Sequence, residues 1–197
     1  MKTTKRQIKL KIKNTQKYGM GVFADEYIGQ GEIVHVLSGE RLKSSEMIRR
    51  ILSDKEEIND PLQVGKRTYI DLDKLSRTFN HSCNPTVGIR KDSEMFALRG
   101  INKGEEITYD YSSVIAPTEW EMKCGCGSQK CRKILGDVRS LPKSQLEFYK
   151  KNGSIQNYMK KIIKELEKGN YKIPKYELLA LEKIKNKSFN GCNYKKS

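Results

Sequence analysis

The sequence has no long apolar run. None reaches the ~18 residues that a membrane-spanning helix requires, which excludes a helical membrane protein. The lysines near the start are not followed by an apolar stretch, so no Sec-type signal peptide is expected. Proline and glycine, at 5 and 15, are too few for a collagen-like chain, and 36% hydrophobic residues are too many for a wholly disordered one. Acid is missing from one end: residues 1–17 hold 7 Lys or Arg and no Asp or Glu. Residues 143–197 hold 14 Lys against 5 Glu, whereas residues 18–142 are nearly neutral. The net charge of +15 therefore belongs to the ends. Two basic ends around a neutral body suit non-specific contact with nucleic acid. A lysine-rich solvated surface is the plainer reading, because Lys outnumbers Arg and few aromatics interleave with it. What is present is 197 residues, enough for one domain with a real core, or a domain with a long appendage.

Most of the chain reads as short strands. Residues 5–13 alternate polar and apolar. Val22–Phe23 follows the glycine-rich turn at 17–21, and residues 32–37 form a β-branched strand that Ser38-Gly39 ends. Residues 44–52 carry Met47, Ile48, Ile51 and Leu52 at helical spacing, with a serine available as cap. Residues 62–64 and 68–72 are strands around Gly65; 87–90 and 95–98 form a hairpin; 107–111 is the last strand, with Tyr109 and Tyr111 on one face and Asp110 on the other. After Pro142 the period changes. Helices are expected at 142–151, from a Ser154 cap to Gly169, and at 174–187.

Five cysteines are present, three of them within Cys124-Gly-Cys-Gly-Ser-Gln-Lys-Cys131. Closely spaced thiolates on a glycine loop suit tetrahedral zinc. A structural site needs a fourth ligand from elsewhere; Cys83 and Cys192 are candidates, with His35 and His81 the remaining donors, and spacing alone does not choose. The odd count and the missing signal argue against disulfides.

Three further segments are rich in chemistry. Tyr18-Gly-Met-Gly-Val-Phe23 lacks the third glycine and the helix of a dinucleotide fingerprint, which argues against a Rossmann-type enzyme. Arg77-Thr-Phe-Asn-His-Ser-Cys-Asn-Pro85 crowds hydrogen-bonding side chains into a loop, and Gly104-Glu-Glu-Ile-Thr-Tyr-Asp-Tyr111 feeds a turn into a tyrosine-bearing strand.

In this order, and followed by Cys-x-Cys-x4-Cys, these motifs resemble the SET-domain protein lysine methyltransferases, over residues 6–135. The resemblance implies a mainly β fold with some α: a β-clip of small curved sheets with a threaded, pseudoknot-like segment and a zinc-binding post-SET loop, to which the helical period adds a C-terminal extension. The chain is thus expected to divide into a SET domain at 6–113, a post-SET zinc segment at 114–135 and a basic helical extension at 136–197 that lies outside the family pattern. It also implies S-adenosylmethionine as methyl donor and a lysine-containing protein as acceptor. By motif position, Tyr111 would be the catalytic tyrosine. Gly19, Met20, Gly21, Tyr69, Arg77, Asn80 and His81 would meet the cofactor. Cys83, Cys124, Cys126 and Cys131 would hold one zinc ion.

By the same resemblance, Tyr109 would stand at a position that influences how many methyl groups are added, where a tyrosine implies mono- or dimethylation. Leu37 stands where many members have a channel tyrosine before x-Gly, so the substrate channel formed by Leu37 and Tyr109 is expected to be greasier. Histones, nucleoid proteins and ribosomal proteins are all candidate substrates. The competing readings are a non-catalytic SET-like module and a zinc-dependent nucleic-acid-binding protein. The expected location is cytoplasm or nucleus, or outside the cell for a bacterial effector, with no membrane partner.

Overall fold

A computed structural model describes residues 6–15, 19–53, 61–118, 120–173 and 178. The alternating N-terminal segment becomes β1 (Leu10–Thr15), paired antiparallel with β2 (Gly19–Ala24). Three-stranded sheets follow. In one, β9 (Glu94–Ala97) lies between β3 (Ile33–Val36) and β8 (Val87–Arg90). In the other, β6 (Thr68–Leu72) lies between β4 (Gly39–Lys43) and β5 (Leu62–Gly65). Strand β4 departs from the expectation that Ser38-Gly39 ends regular structure. Gly39 adopts φ 152°, and a Cβ there would lie 1.9 Å from the Asp71 carbonyl oxygen, so only glycine lets the chain re-enter a sheet at this point.

Helix α1 (Ser44–Leu52) matches its predicted span, but its cap position is Lys43 and no side chain caps it. Ser44 is its first, buried residue, and its N–H donates to the Arg67 carbonyl at 3.1 Å. The helix is held instead by Arg50, which meets Asp71 at 2.5 Å and Glu40 at 2.8 Å.

The short helix α2 (Lys74–Arg77), capped by Asp73, leads into β7 (Asn80–His81). Strand β7 pairs in parallel with β10 (Thr108–Tyr109). No hairpin makes a parallel ladder, so these segments meet only through the rest of the fold. The predicted 107–111 strand is shorter than expected. Tyr111–Ser113 is a 3-10 turn, because the Asp110 carboxylate accepts from the Ser112 N–H at 3.1 Å and the Asp110 carbonyl accepts from the Ser113 N–H at 3.0 Å.

The cysteine loop lies between β11 (Met122–Lys123) and β12 (Ile134–Leu135), an antiparallel pair. Helices α3 (Lys143–Lys151) and α4 (Asn157–Glu167) follow. Ser154 does not cap α4, which starts from Gln156; Ser154 is buried against Gly88 instead. The expected helix at 174–187, apart from Leu178, and Cys192 lie outside the described residues.

Two apolar clusters form the core. The larger joins β2, β6, β8 and β9 through residues such as Val22, Ile70, Ile89 and Met95. The second packs α3 and α4 onto the β9 side, through Phe96, Leu98, Tyr149, Met159 and Ile163. The helical segment is thus seated on the sheet. The Asn157 N–H donates to the Lys91 carbonyl at 2.6 Å, and the fully buried Gln156 amide donates to the Asp92 carbonyl.

Candidate active site

The parallel ladder brings the Asn80–Cys83 and Thr108–Tyr111 segments side by side, next to the end of β2. Residues 105–107 lie along β2: the Ile107 N–H donates to the Val22 carbonyl at 2.7 Å, and Phe23 forms a bridge with Glu106. Gly21 is therefore wedged into this corner. A Cβ on it would lie 2.5 Å from Glu106 Oε1 and 2.9 Å from Asn80 Nδ2. The Asn80 amide donates to the Met20 carbonyl at 3.1 Å and to Glu106 Oε1 at 2.7 Å. The Met20 side chain itself is 50% exposed, on the outer rim.

Tyr111 is fixed at three points. Its hydroxyl donates to the Phe79 carbonyl at 3.1 Å, its N–H donates to His81 Nδ1 at 3.2 Å, and its ring lies 4.8 Å from that of Tyr109. Phe79, Tyr109 and Leu37 are buried in the larger core, and Tyr111 packs against that core. Burial drives the His81 pKa down to about 4, against the pull of Asp110 and with the help of Arg132. The imidazole is therefore neutral at pH 7. Nδ1 faces the Tyr111 N–H at 3.2 Å, and Nε2 lies 3.2 Å from Cys83 Sγ.

The SET family model matches residues 19–112. Residues 19–112 are a SET domain. Histone-lysine N-methyltransferase ASHH3 of Arabidopsis thaliana is 36% identical over 148 residues, covering 68% of this chain and 40% of that protein. Histone-lysine N-methyltransferase SETMAR of Rattus norvegicus is 31% identical over 161 residues, 66% of this chain and 51% of that protein. The solved methyltransferase domain of human SETMAR matches with a TM-score of 0.54 at 27% identity, over 66% of this chain and 59% of that one. The chain thus spans about two fifths of the length of its Arabidopsis relative.

Beside the SET domain, the ligand atoms of His81, Cys83, Cys124 and Cys126 lie within 4.8 Å of one another. A tetrahedral zinc ion with bonds of ~2.3 Å separates its sulfurs by roughly 3.8 Å, and the Cys83 and Cys124 sulfurs are 3.8 Å apart. Cys131 Sγ lies 3.5 Å from the Cys124 carbonyl oxygen and interacts with the Cys124 and Cys126 thiols. His81 Nε2 and the Cys131 thiol are the two donors beside Cys83, Cys124 and Cys126 that could complete a tetrahedral set. Burial pushes the Cys83 and Cys124 thiols up. Cys126 is drawn down to about 7: burial opposes this, but backbone hydrogen bonds at Cys83 and Ser128 and the adjacent thiols outweigh it.

Two expected cofactor residues lie with the β4-β6-β5 sheet. Tyr69 is in β6, opposite Leu42 and Gln63. The Arg77 guanidinium is bound to the Asp71 carboxylate and the Leu72 carbonyl. Sequence reasoning passed over Glu106, which holds Asn80, and the pairing of Asp110 with Arg132 at 2.6 Å. Both had a faint signal: Glu106 follows the Gly104 turn, and Arg132 directly follows a cysteine of the cluster. The Met20 carbonyl and the Glu106 carboxylate meet at the Asn80 amide, and the Tyr111 hydroxyl meets the carbonyl of Phe79, the residue before Asn80.

Proposed function

We propose that this chain transfers methyl groups from S-adenosylmethionine to the side-chain amine of a protein lysine, stopping at the mono- or dimethyl stage. The observation that carries this reading is the Tyr111 hydroxyl bonded to the Phe79 carbonyl beside Asn80 and Met20, within a SET domain. When bound, the cofactor supplies an electrophilic methyl group on its sulfonium.

The chain's own residues do the rest. Backbone groups of Gly19, Met20 and Gly21, with Asn80 and His81, hold the cofactor. Arg77, anchored on Asp71, steadies the segment that leads into Phe79 and Asn80. Carbonyl and hydroxyl oxygens orient the reacting carbon through weak C–H···O contacts.

A free lysine has a pKa near ~10.4 and must arrive neutral to attack. Apolar Leu37 and the Tyr109 and Tyr111 rings disfavour the ammonium form by excluding water. No dedicated base is then needed, and alignment is the main catalytic term, worth up to ~7–11 kcal/mol in favourable cases. The Tyr109 hydroxyl occupies room that a trimethylated product would require.

Cys83, Cys124, Cys126 and Cys131 are proposed to hold one structural zinc ion. Residues 6–113 would then be the SET unit, 114–135 the zinc segment and 136–197 the basic extension. The relatives' names favour a histone, and hence a chromatin location, over nucleoid or ribosomal proteins. The basic ends add non-specific contact with nucleic acid. Among the described residues no helix is long and apolar enough to cross a membrane.

The test is incubation with methyl-labelled S-adenosylmethionine and core histones, with a bacterial lysate in parallel. Label in a discrete band that fades with Tyr111→Phe supports the reading. Cofactor binding without any label would turn it toward the non-catalytic module. Mainly trimethyl-lysine by mass spectrometry would overturn the product stage.

A further inference from the structure

We propose that Tyr149, on α3 of the C-terminal segment, is a positioning residue for Tyr111 and acts through the Asp110 carboxylate. Its consequence for rate rests on the methyl-transfer reading above; its geometry does not.

The Asp110 side chain is 1% exposed and immediately precedes Tyr111. It accepts hydrogen bonds from three separate parts of the fold. Arg132, beside the cysteine cluster, donates through both terminal nitrogens, at 2.8 Å to Oδ2 and 2.6 Å to Oδ1. The Ser112 N–H of the 3-10 turn donates to Oδ1 at 3.1 Å. The Tyr149 hydroxyl donates to Oδ2 at 3.0 Å. Four donors fill the four lone-pair sites of a carboxylate, which has no water to turn to at this depth.

The Tyr149 ring is buried in the second core cluster, so its hydroxyl is delivered by the packing of α3 against Phe96 and Leu98. Arg132 ties the same carboxylate to the metal loop, and its N–H donates to Cys83 Sγ at 3.4 Å. Asp110 is thus the joint between the tyrosine turn, the thiol cluster and the helical segment. Without the Tyr149 hydroxyl, Oδ2 is held by Arg132 alone, so the carboxylate can swing toward the guanidinium, and the 3-10 turn on Oδ1 and the Tyr111 amide and hydroxyl bonds shift with it. Displacements of about 1 Å at a reacting group cost up to ~100-fold in rate. The C-terminal helices are, on this account, part of the catalytic unit.

The test uses the full chain carrying Tyr149→Phe, which keeps the buried ring and removes only the hydroxyl. The expected result is kcat lower by about 10–100-fold, the usual range for a lost supporting bond. KM for S-adenosylmethionine and for the peptide stays within about twofold, and zinc content stays at the wild-type value. Amide exchange at Tyr111, followed by nuclear magnetic resonance, quickens in the variant. Ser144→Ala, a change at an exposed position of α3, leaves all of these unaltered. Unchanged kcat with unchanged Tyr111 exchange overturns the proposal. So does a loss of activity that only tracks the folded fraction. If the wild type transfers no methyl group, the methyl-transfer reading fails, and Tyr111 exchange still decides whether Tyr149 positions that residue.

Discussion

The Tyr111 hydroxyl donates to the Phe79 carbonyl at 3.1 Å, joining residues 32 positions apart in the sequence. This bond ties the phenol oxygen to the backbone of the residue that precedes Asn80. Tyr111→Phe removes that oxygen and leaves the ring contacts with His81 and Tyr109 in place. Methyl transfer should fall by about 100-fold or more, the scale of a lost transition-state contact. Affinity for S-adenosylmethionine, measured by calorimetry, should change by no more than about threefold.

Gly21→Ala attacks the same corner from the other side. The new methyl would collide with Glu106 Oε1 and Asn80 Nδ2, both of which it would approach within 3 Å. Asn80 must then release the Met20 carbonyl. Cofactor affinity should drop by roughly tenfold, with one supporting hydrogen bond lost. An unchanged dissociation constant would remove Gly21 and Asn80 from the binding role.

Chelation should unfold the post-SET segment and stop turnover. Between Cys124 and Cys131 the described residues form no strand or helix, so a metal on the thiol cluster would fix that loop, with Arg132 tied separately to Asp110. Elemental analysis should find one zinc per chain, and Cys124→Ser should lose it. His81→Ala should retain the metal, with Cys131 as the fourth ligand, and loss of zinc would assign that position to His81.

Gly39→Ala should destabilise the fold without touching the site chemistry. The added Cβ would overlap the Asp71 carbonyl, and φ 152° is costly for any L side chain. A loss of roughly 2–4 kcal/mol in urea denaturation is expected.

Stability should fall as pH drops below about 6.5. Burial lowers the pKa of His35, which lies 3.1 Å from Ser76 Oγ, and the neighbouring Asp73 only partly offsets this. The unfolded chain therefore binds a proton near pH 6.5 that the folded chain refuses until lower pH. The contribution is fully present above 6.5 and is lost as pH falls toward the folded value. His81 has the same sign, with a window from 6.5 to about 4. Denaturation at pH 7.5 and 5.5 should differ, and the difference should shrink in His35→Gln.

Local pattern made much of the architecture legible. The β-branched run at 33–36, the helix at 44–52 and the hairpin at 87–97 were readable because each signal lies within a few residues. Strand β4 was not readable. Its sequence, Gly-Glu-Arg-Leu-Lys, has no clear alternation, and it becomes a strand because β6 offers an open edge. The early end of β10 was hidden for a related reason: the turn at 111–113 depends on where the Asp110 side chain goes.

The sequence by itself determined which segments are rich in chemistry. The loop at 77–85, the turn and strand at 104–111 and the three clustered cysteines stand out by residue type and spacing, and only the resemblance to SET-domain methyltransferases assigns roles to Asn80, His81, Tyr109 and Tyr111. Tertiary structure decided how those residues act on one another. It set the burial of His81 between Tyr111 and Cys83, the anchoring of Arg77 on Asp71 and the delivery of the Tyr149 hydroxyl to Asp110. Spacing along a chain can bring donors and acceptors into one segment. Their partners here lie 6 to 39 residues away, and only the packed sheets and helices bring them within hydrogen-bond reach.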